Sequence, residues 1–368
     1  MAKIKKGYFD DKVIFISGGT GSWGNELVTQ LLKFNDPKEI RIYSRGELKQ
    51  VEMKRRFYGE DKLTFFIGDV RDKERLMTVM RGTDYAFHLA ALKHVPVCEE
   101  NSWEAVQTNI VGTQNIISTA IEAGVKKVID ISTDKAVDPY NLYGTTKAVG
   151  EKLIISANLL KTKTRFVCIR GGNVLGTNGS VVPLFREQIL RGGTLTITDE
   201  KMTRYMMNLN EAISLIFEAT VSSVGGEIFV MKMPALKVGD LADLMIKELS
   251  LTRKNLHVKK EIIGIRPGEK LHEVLVSRYE STNALEQGDY YVILPNIHLP
   301  EVQKKYKGMK SVDFKEFNSN NTHLLTYDEI KTMLEKESWL DKDINANFSN
   351  IQDKDLQNPF EQEGWKRD

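Results

Sequence analysis

Several features that would assign the chain to particular classes of protein are absent from its sequence. Only two cysteines, Cys98 and Cys168, occur in 368 residues, so neither a disulfide framework nor a metal site is indicated. The 52 basic and 50 acidic residues nearly cancel, which gives no sign of a nucleic-acid-binding surface. No apolar run approaches the roughly 20 residues of a membrane-spanning helix, and the basic segment 1–8 lacks the apolar core of a signal peptide. We therefore expect a cytoplasmic protein with no nucleic-acid, membrane or metal partner.

The rest of the composition is that of a globular protein. The chain is 41% hydrophobic and 28% charged, a balance that supports a folded core rather than overall disorder. Short apolar runs alternate with segments of helical periodicity, which is the pattern of βαβ units. We predict an α/β fold with a Rossmann-type, doubly wound parallel sheet and a smaller C-terminal substrate-binding region. The predicted strands are 12–17, 39–43, 63–67, 85–89, 127–132 and 165–170.

A glycine-rich loop follows the first predicted strand. Gly18, Gly21 and Gly24 recur every third residue and precede a helical pattern. A dinucleotide-binding loop needs glycine for a tight turn, for close approach to a diphosphate and for helix packing. We assign the loop to a cofactor, although any tight strand-to-helix turn also favours glycine. The assigned residues are Gly18, Thr20, Gly21, Ser22, Trp23 and Gly24.

Polar residues after the second and third strands indicate where the adenosine end of a cofactor would bind. Ser44 and Arg45 stand where NAD-binding folds usually carry an acid for the ribose 2′-hydroxyl. These two residues, with Lys49 one helical turn further, suit a 2′-phosphate, so we predict NADP. The alternative for the arginine is an ordinary solvated side chain. Asp69 and Val70 follow the third strand, where Asp69 either accepts a hydrogen bond from the adenine amino group or caps the next helix.

The fourth predicted strand ends in small and polar residues. Ala90 and Ala91 would let the backbone approach a cofactor closely, and Lys93 would lie near both cofactor and substrate. His94 would face the substrate, or else be purely structural. The pair 108–109 lies inside a predicted helix over 103–123 and either supports the site or faces solvent.

The segment after the fifth predicted strand carries the densest set of reactive side chains. Thr133, Asp134 and Lys135 follow the strand directly, and the carboxyl ends of strands line the ligand crevice in open α/β sheets. Tyr143 and Lys147 are four residues apart and share one face of a predicted helix. We predict that these five side chains surround one substrate. The alternative for the adjacent acid and lysine is a plain ion pair at a strand end.

These motifs together resemble a known family. Gly18-x-x-Gly21-x-x-Gly24, Thr133-Asp134-Lys135 and Tyr143-x-x-x-Lys147 resemble the extended short-chain dehydrogenase/reductase superfamily. More closely, the sequence is similar to the C5-inverting UDP-N-acetylglucosamine 4,6-dehydratases, which act in bacterial surface-glycan synthesis. The motifs behind this closer similarity include 88–96, 132–136, 179–183, 202–204 and 266–273. The resemblance implies NADP as cofactor, UDP-N-acetylglucosamine as substrate and a homo-oligomer.

The same resemblance implies which residues hold the UDP part of the substrate. Arginines suit diphosphate oxygens, and a carboxylate suits ribose hydroxyls; the alternative for each is a surface ion pair. The residues are Asn173, Val181, Val182, Arg204, Arg266 and Glu269. Thr203, Lys93 and His94 complete the set that we expect to bind the substrate as a whole. We therefore divide the chain into an NADP-binding domain over 1–180, a nucleotide-sugar-binding region over 181–280 and a C-terminal extension over 281–368. In that extension only 327–334 is predicted to be firmly helical, and 341–368 is predicted to be loosely held.

Two residues depart from the pattern of the family. Gly46 stands where the family usually has an acid, which affects the adenosine end. Gly171 replaces a usual tyrosine, which we expect to widen the sugar pocket.

The implied reaction makes definite demands on protonation. Tyr143 would take the proton of the sugar 4-hydroxyl, with Thr133 hydrogen-bonded to its oxygen and Lys147 lowering its pKa from about 10. Lys135 would remove the C5 proton, for which its pKa must fall from about 10.4 toward 7 or 8. Asp134 would protonate the departing 6-hydroxyl.

Other functions remain open on this fold. Similar C5-retaining 4,6-dehydratases carry Asp-Glu where this chain carries Asp134-Lys135, which favours inversion here. A UDP-sugar 4-epimerase would need the tyrosine and the second lysine alone. A non-catalytic NADP-sensing protein would need none of these side chains together.

Overall fold

The computed structural model describes residues 6–177, 180–250 and 257–341. Gly179 of one motif and most of the predicted loosely held segment, 342–368, lie outside the described residues. From the N-terminus, strands and helices alternate as predicted: β1 (Val13–Ser17), α1 (Ser22–Phe34), β2 (Glu39–Ser44), α2 (Glu47–Arg56), β3 (Leu63–Ile67), α3 (Lys73–Met80), β4 (Tyr85–His88), α4 (Val95–Glu100), α5 (Ser102–Val106), α6 (Gly112–Glu122), β5 (Lys127–Thr133), α7 (Leu142–Ala157) and β6 (Arg165–Gly171).

Shorter elements follow in the second half of the chain. They are β7 (Asn173–Val174), α8 (Val181–Arg191), β8 (Gly193–Ile197), β9 (Thr203–Met207), α9 (Leu209–Ser222), β10 (Ile228–Met231), β11 (Ala235–Lys237), α10 (Val238–Ser250), β12 (Val258–Ile262), β13 (Val274–Val276), β14 (Ala284–Gln287), β15 (Tyr290–Ile293), α11 (Pro300–Tyr306), β16 (Phe317–Asn318) and α12 (Tyr327–Lys336).

The main sheet confirms the predicted fold class. Its strand order is β3-β2-β1-β4-β5-β6-β10-β15-β14, and every pair from β3 to β10 is parallel. The order reverses between β1 and β4, so the connections leave that point in opposite directions. In doubly wound sheets a crevice opens at this switch point, outside the carboxyl ends of the strands.

The chain after residue 281 is more regular than predicted. β15 pairs antiparallel with β10, and β14 pairs antiparallel with β15, so this segment completes the main sheet. The prediction that only 327–334 is firmly helical there is wrong, since α11 is also present. The two strands were missed because each is only four residues long and their hairpin joins the sheet through β10, which lies far earlier in the chain. The division of the chain at 180 and 280 stays a prediction.

Two separate hydrophobic cores underlie the two parts of the fold. The larger packs both faces of the main sheet against its helices, with Phe15, Phe87 and Phe166 fully buried. The smaller is built from α8, β8, α10 and α12, with Ile189 and Leu241 at its centre. Within the described residues, no helix is both long and apolar enough to cross a membrane.

Candidate active site

A cleft of about 900 Å³ runs along the carboxyl ends of the central strands. It begins at the glycine loop, passes the ends of β2, β4 and β5, and reaches the loop before β13. The predicted site residues line this cleft, except for Asp134, Lys147, Val182, Thr203 and Arg266. One continuous space therefore brings together residues from positions 18 to 273.

The glycine loop has the close backbone contacts that its sequence predicts. Gly18 has φ +68°, and a Cβ there would lie 2.8 Å from the backbone nitrogen of Ala90. A Cβ on Gly24 would lie 2.1 Å from the carbonyl oxygen of Gly19, so only glycine lets α1 begin this close to β1. The N-terminus of α1 therefore opens into the cleft, where its N–H groups can bind an anion. These contacts fit a dinucleotide diphosphate.

The end of the cleft that is predicted to bind adenosine is lined by charged side chains. Arg45 and Lys49 are exposed, and Arg45 Nη1 lies 3.7 Å from Asp69 Oδ2. Arg71 holds the same carboxylate through Nε at 3.0 Å and Nη2 at 2.7 Å. Burial would raise the pKa of Asp69, but its hydrogen bonds with Arg71 lower it below the usual value. The alternative role of Asp69 as a helix cap is wrong, because Asp72 caps α3 instead.

A buried amide fixes the cleft wall after β4. Asn109 is 1% exposed and lies in a π-helical turn over 107–111, between α5 and α6. Its side chain accepts from the backbone N–H of Leu92 at 2.8 Å and donates to the Leu92 carbonyl at 2.9 Å. It also donates to Thr146 Oγ1 at 3.0 Å. The pair 108–109 therefore supports the site and does not face solvent.

The two lysines of the predicted catalytic group have different surroundings. Lys147 is 3% exposed and its Nζ lies 3.2 Å from Oδ2 of Asp130, a fully buried residue of β5. Burial would lower the pKa of Lys147, but Asp130 and Tyr143 raise it. Sequence reasoning missed Asp130, because an acid inside an apolar run gives no sign of which cation it faces. Lys147 therefore lies behind the cleft wall as a stable cation.

The phenol of Tyr143 faces opposing influences. Burial raises its pKa, while Lys147, Lys135 and a hydrogen bond with Thr133 lower it. The net direction is upward, so the prediction of a pKa below about 10 is wrong, although Lys147 acts in the predicted direction. The two lysines do favour the phenolate, but they do not outweigh desolvation.

Lys135 provides the clearest correction. Its Nζ lies 3.1 Å from Oδ1 of Asp134 and 3.7 Å from Oε1 of Glu273. Burial would lower the pKa of Lys135, but these two carboxylates outweigh it and raise the pKa. The predicted fall toward neutrality is therefore wrong. Lys135 is an ammonium group in an ion pair with Asp134, and its catalytic role stays a prediction.

Glu273 is a site residue that sequence reasoning missed. It lines the cleft, is 3% exposed, and its Oε1 lies 3.8 Å from Nε of Arg204 as well as near Lys135. It belongs to the motif 266–273, of which only Arg266 and Glu269 were predicted to bind the substrate. Its position 138 residues beyond Lys135 hides the contact from any local pattern.

The residues expected to bind the UDP part are only partly gathered. Asn173, Val181, Arg204 and Glu269 line the cleft, and one buried oxygen of Glu269 has no hydrogen-bond partner among the described residues. The others lie elsewhere. Val182 is in the smaller core, Thr203 is buried against His272 and Ser319, and Arg266 is exposed.

The chain also has known relatives. Residues 14–295 match the model of the family described as polysaccharide biosynthesis protein. A UDP-N-acetylglucosamine 4,6-dehydratase (inverting) of Campylobacter jejuni is 44% identical over 85% of this chain and 94% of that protein. A UDP-glucose 4-epimerase of Rickettsia canadensis is 42% identical over 89% of this chain and 96% of that protein. Among solved structures, Pen from Bacillus thuringiensis is 38% identical with a TM-score of 0.84, covering 91% of this chain and 100% of that one.

Proposed function

Since the chain belongs to the polysaccharide biosynthesis protein family, we propose that it catalyses 4,6-dehydration of UDP-N-acetylglucosamine with inversion at C5. The product is a UDP-4-keto-6-deoxy-L-arabino-hexulose for bacterial surface-glycan synthesis. The observation that carries the proposal is the pairing of buried Asp134 with Lys135, which lines the cleft together with Tyr143. A 4-epimerase reacts at C4 alone and has no use for this second acid and base. The similarity to the Campylobacter dehydratase supports the same conclusion.

The cofactor in this proposal is NADP. The tight glycine loop suits the diphosphate, and the exposed cations Arg45 and Lys49 suit a 2′-phosphate. Ser44, Val70, Ala90, Ala91 and Lys93 line the same part of the cleft. A nicotinamide ring bound here supplies reversible hydride exchange with the hexose, so the overall reaction involves no net oxidation.

Tyr143 is proposed to move the proton of the sugar 4-hydroxyl. It acts as a base only as the phenolate, which Lys147, Lys135 and the hydrogen bond with Thr133 favour. The 4-ketone then acidifies the C5 proton. At that stage the substrate needs a base at C5 and an acid at the 6-hydroxyl, because hydroxide is a poor leaving group.

The Asp134–Lys135 ion pair can supply both groups by one internal proton transfer. Moving a proton across the 3.1 Å contact turns the ammonium and carboxylate into an amine and a carboxylic acid. Bound substrate excludes water, and desolvation disfavours the charged pair relative to the neutral one. The amine then takes the C5 proton and the acid protonates the departing 6-hydroxyl, which leaves as water. Elimination thus restores the ion pair between Asp134 and Lys135.

The proposal is tested by the product formed in deuterated water. The protein is incubated with NADP and UDP-N-acetylglucosamine, and proton NMR follows the hexose. We expect a new C6 methyl signal, deuterium at C5 and inverted C5 configuration. A changed C4 configuration without a methyl signal would identify an epimerase, and a methyl signal with the original C5 configuration a retaining dehydratase. Binding without turnover would identify a non-catalytic protein.

Two further parts of the proposal rest on the family resemblance. We propose that the protein forms a homo-oligomer and that it acts in the cytoplasm, where nucleotide sugars are made. Size-exclusion chromatography with light scattering measures the first, and cell fractionation measures the second.

A further inference from the structure

We propose that Glu273 is a positioning residue of this site, whose carboxylate holds the Lys135 ammonium and the Arg204 guanidinium in place and so controls how readily Lys135 releases its proton. This inference rests on the proposed function, in which Lys135 must become a neutral amine. It adds that a residue far along the chain influences how readily Lys135 loses its proton. Glu273 itself need not touch the reacting atoms.

The geometry places one carboxylate oxygen between two cations. Oε1 of Glu273 lies 3.7 Å from Lys135 Nζ and 3.8 Å from Arg204 Nε. The Glu273 side chain is 3% exposed and the Arg204 side chain 10% exposed. Attraction at these distances is strong, because little water is present to screen it.

The backbone of Glu273 is held firmly in this position. Its N–H donates to Ser319 Oγ at 2.9 Å, and its carbonyl accepts from the Ser319 N–H at 2.8 Å. Ser319 Oγ in turn contacts Thr203 Oγ1 at 2.6 Å, next to Arg204 in β9. The carboxylate therefore projects from a fixed point and does not follow Lys135 as a flexible surface side chain would.

The second oxygen of Glu273 makes no hydrogen bond. Oε2 is buried and has no hydrogen-bond partner among the described residues, although Glu273 lines the cleft. A buried carboxylate oxygen without a donor costs free energy. The contacts that hold the carboxylate in place are therefore those of Oε1 with Lys135 and Arg204.

Several other charged or titratable groups face Lys135 and must be counted. Asp134 and Tyr143 favour its ammonium form, and Arg204 opposes it. Lys270, whose Nζ donates to the Val137 carbonyl at 2.5 Å, is near enough to interact with Lys135. Removing the charge of Glu273 leaves Asp134 as the only carboxylate within ion-pair distance of Lys135 among the described residues. Lys135 should then lose its proton at lower pH.

The test measures the protonation of Lys135 without relying on turnover. Wild type, Glu273→Asp and Glu273→Gln are acetylated briefly with acetic anhydride at a series of pH values, since only the neutral amine reacts. Peptide mass spectrometry reads the acetylated fraction at Lys135, and Lys126, whose side chain is 57% exposed, serves as the internal control. We expect the midpoint for Lys135 to fall by about one pH unit or more in Glu273→Gln, by less in Glu273→Asp, and not at all for Lys126.

Specific outcomes would overturn the role of Glu273. An unchanged Lys135 midpoint in Glu273→Gln would do so, as would an Asp variant that shifts as far as the Gln variant, since charge would then not be the cause. If Glu273→Gln does not fold, Glu273→Asp alone decides: a lowered midpoint supports the role and an equal one refutes it. If wild-type protein forms no C6 methyl product, the proposed function is wrong. The acetylation result would then still measure the effect of Glu273 on the protonation of Lys135.

Discussion

The indole of Trp23 lies against the backbone of Gly171, across the cleft wall. A Cβ built on Gly171 would lie 3.2 Å from Cη2 and 3.4 Å from Cζ2 of the ring. The absence of a side chain at 171 therefore does not simply widen the sugar pocket, because the edge of Trp23 borders the space beside the glycine. The small residue at the end of β6 thus leaves room for the indole that the glycine-rich loop carries.

This contact predicts a steric coupling between the two positions. We expect Gly171→Tyr to displace Trp23 and lower kcat/KM about tenfold or more, because small misplacements of site groups are costly. Adding Trp23→Ala should restore part of the loss. Steady-state kinetics with UDP-N-acetylglucosamine measures both effects. Gly46→Ala is the matched control, since its Cβ would meet nothing closer than 3.9 Å. Equal loss in the single and double variants would contradict the coupling.

Replacing Lys135 by methionine should separate binding from chemistry. The methionine keeps much of the side-chain length but removes the C5 base, so we expect dehydration to fall about 100-fold or more while NADP still binds. Product NMR measures the first and cofactor fluorescence the second. Lys126→Met, at a largely exposed position, is the control for losing a lysine. Undiminished turnover in Lys135→Met would remove this residue from the mechanism.

The buried pair of Lys147 and Asp130 should dominate stability near the site. Asp130→Asn leaves a buried ammonium without its counter-charge, and we expect the free energy of unfolding to fall by about 3–5 kcal/mol. Urea denaturation measures this loss. Glu187→Gln, which breaks an exposed pair with Arg191 on α8, should change it by no more than about 0.5 kcal/mol. Similar losses in both variants would argue against a special cost at Asp130.

His88 should make the fold sensitive to acid. Its pKa is lowered by burial to about 4, and its two ring nitrogens contact Ser17 Oγ at 2.7 Å and Thr113 Oγ1 at 3.1 Å. Because Thr113 donates its own proton to the Asn109 carbonyl, Nε2 carries the ring proton and Nδ1 accepts from Ser17. Both nitrogens of the neutral ring are thus hydrogen-bonded, and protonation would place a charge in a fully buried site.

The sign of the pH dependence follows from the two pKa values. The unfolded chain has a histidine pKa of about 6.5, so between that value and 4 the unfolded state binds more protons. The free energy of unfolding therefore falls as the pH is lowered, by up to about 3 kcal/mol from this residue. Urea denaturation from pH 7 to 4 should show a shallower loss in His88→Gln than in wild type. The exposed His257→Gln should keep the wild-type slope, and identical slopes in all three would refute the assignment.

The choice between NADP and NAD should depend on Arg45. Its side chain is 53% exposed at the cleft, with only a 3.7 Å contact to an Asp69 carboxylate that Arg71 also holds, so a 2′-phosphate would be a second and stronger ionic partner. We expect Arg45→Ala to raise the Kd for NADP about tenfold or more and to leave the Kd for NAD nearly unchanged. Isothermal titration calorimetry measures both constants. Arg55→Ala on α2, the helix that begins two residues after Arg45, lies outside the cleft lining and should change neither. Parallel losses for both cofactors would point to a general effect on folding or charge.

Local patterns in the sequence determined a large part of this molecule. The six central strands, the glycine loop and the helix that carries Tyr143 and Lys147 all follow from periodicity and turn chemistry over fewer than about 20 residues. The four-residue spacing of that tyrosine and lysine places them on one helix face wherever the helix packs. The family resemblance then followed from motifs that are themselves local.

Only the tertiary structure decided the electrostatic state of the site. Lys135 meets Glu273, Lys147 meets a buried Asp130, and Trp23 meets Gly171, and none of these pairings is written in a local pattern. A pKa is set by desolvation and by charges within a few ångströms, whatever their distance along the chain. The sequence therefore determined which reactive groups lie near the end of β5. The tertiary structure decided which of them are charged, because it sets which side chains lie beside them.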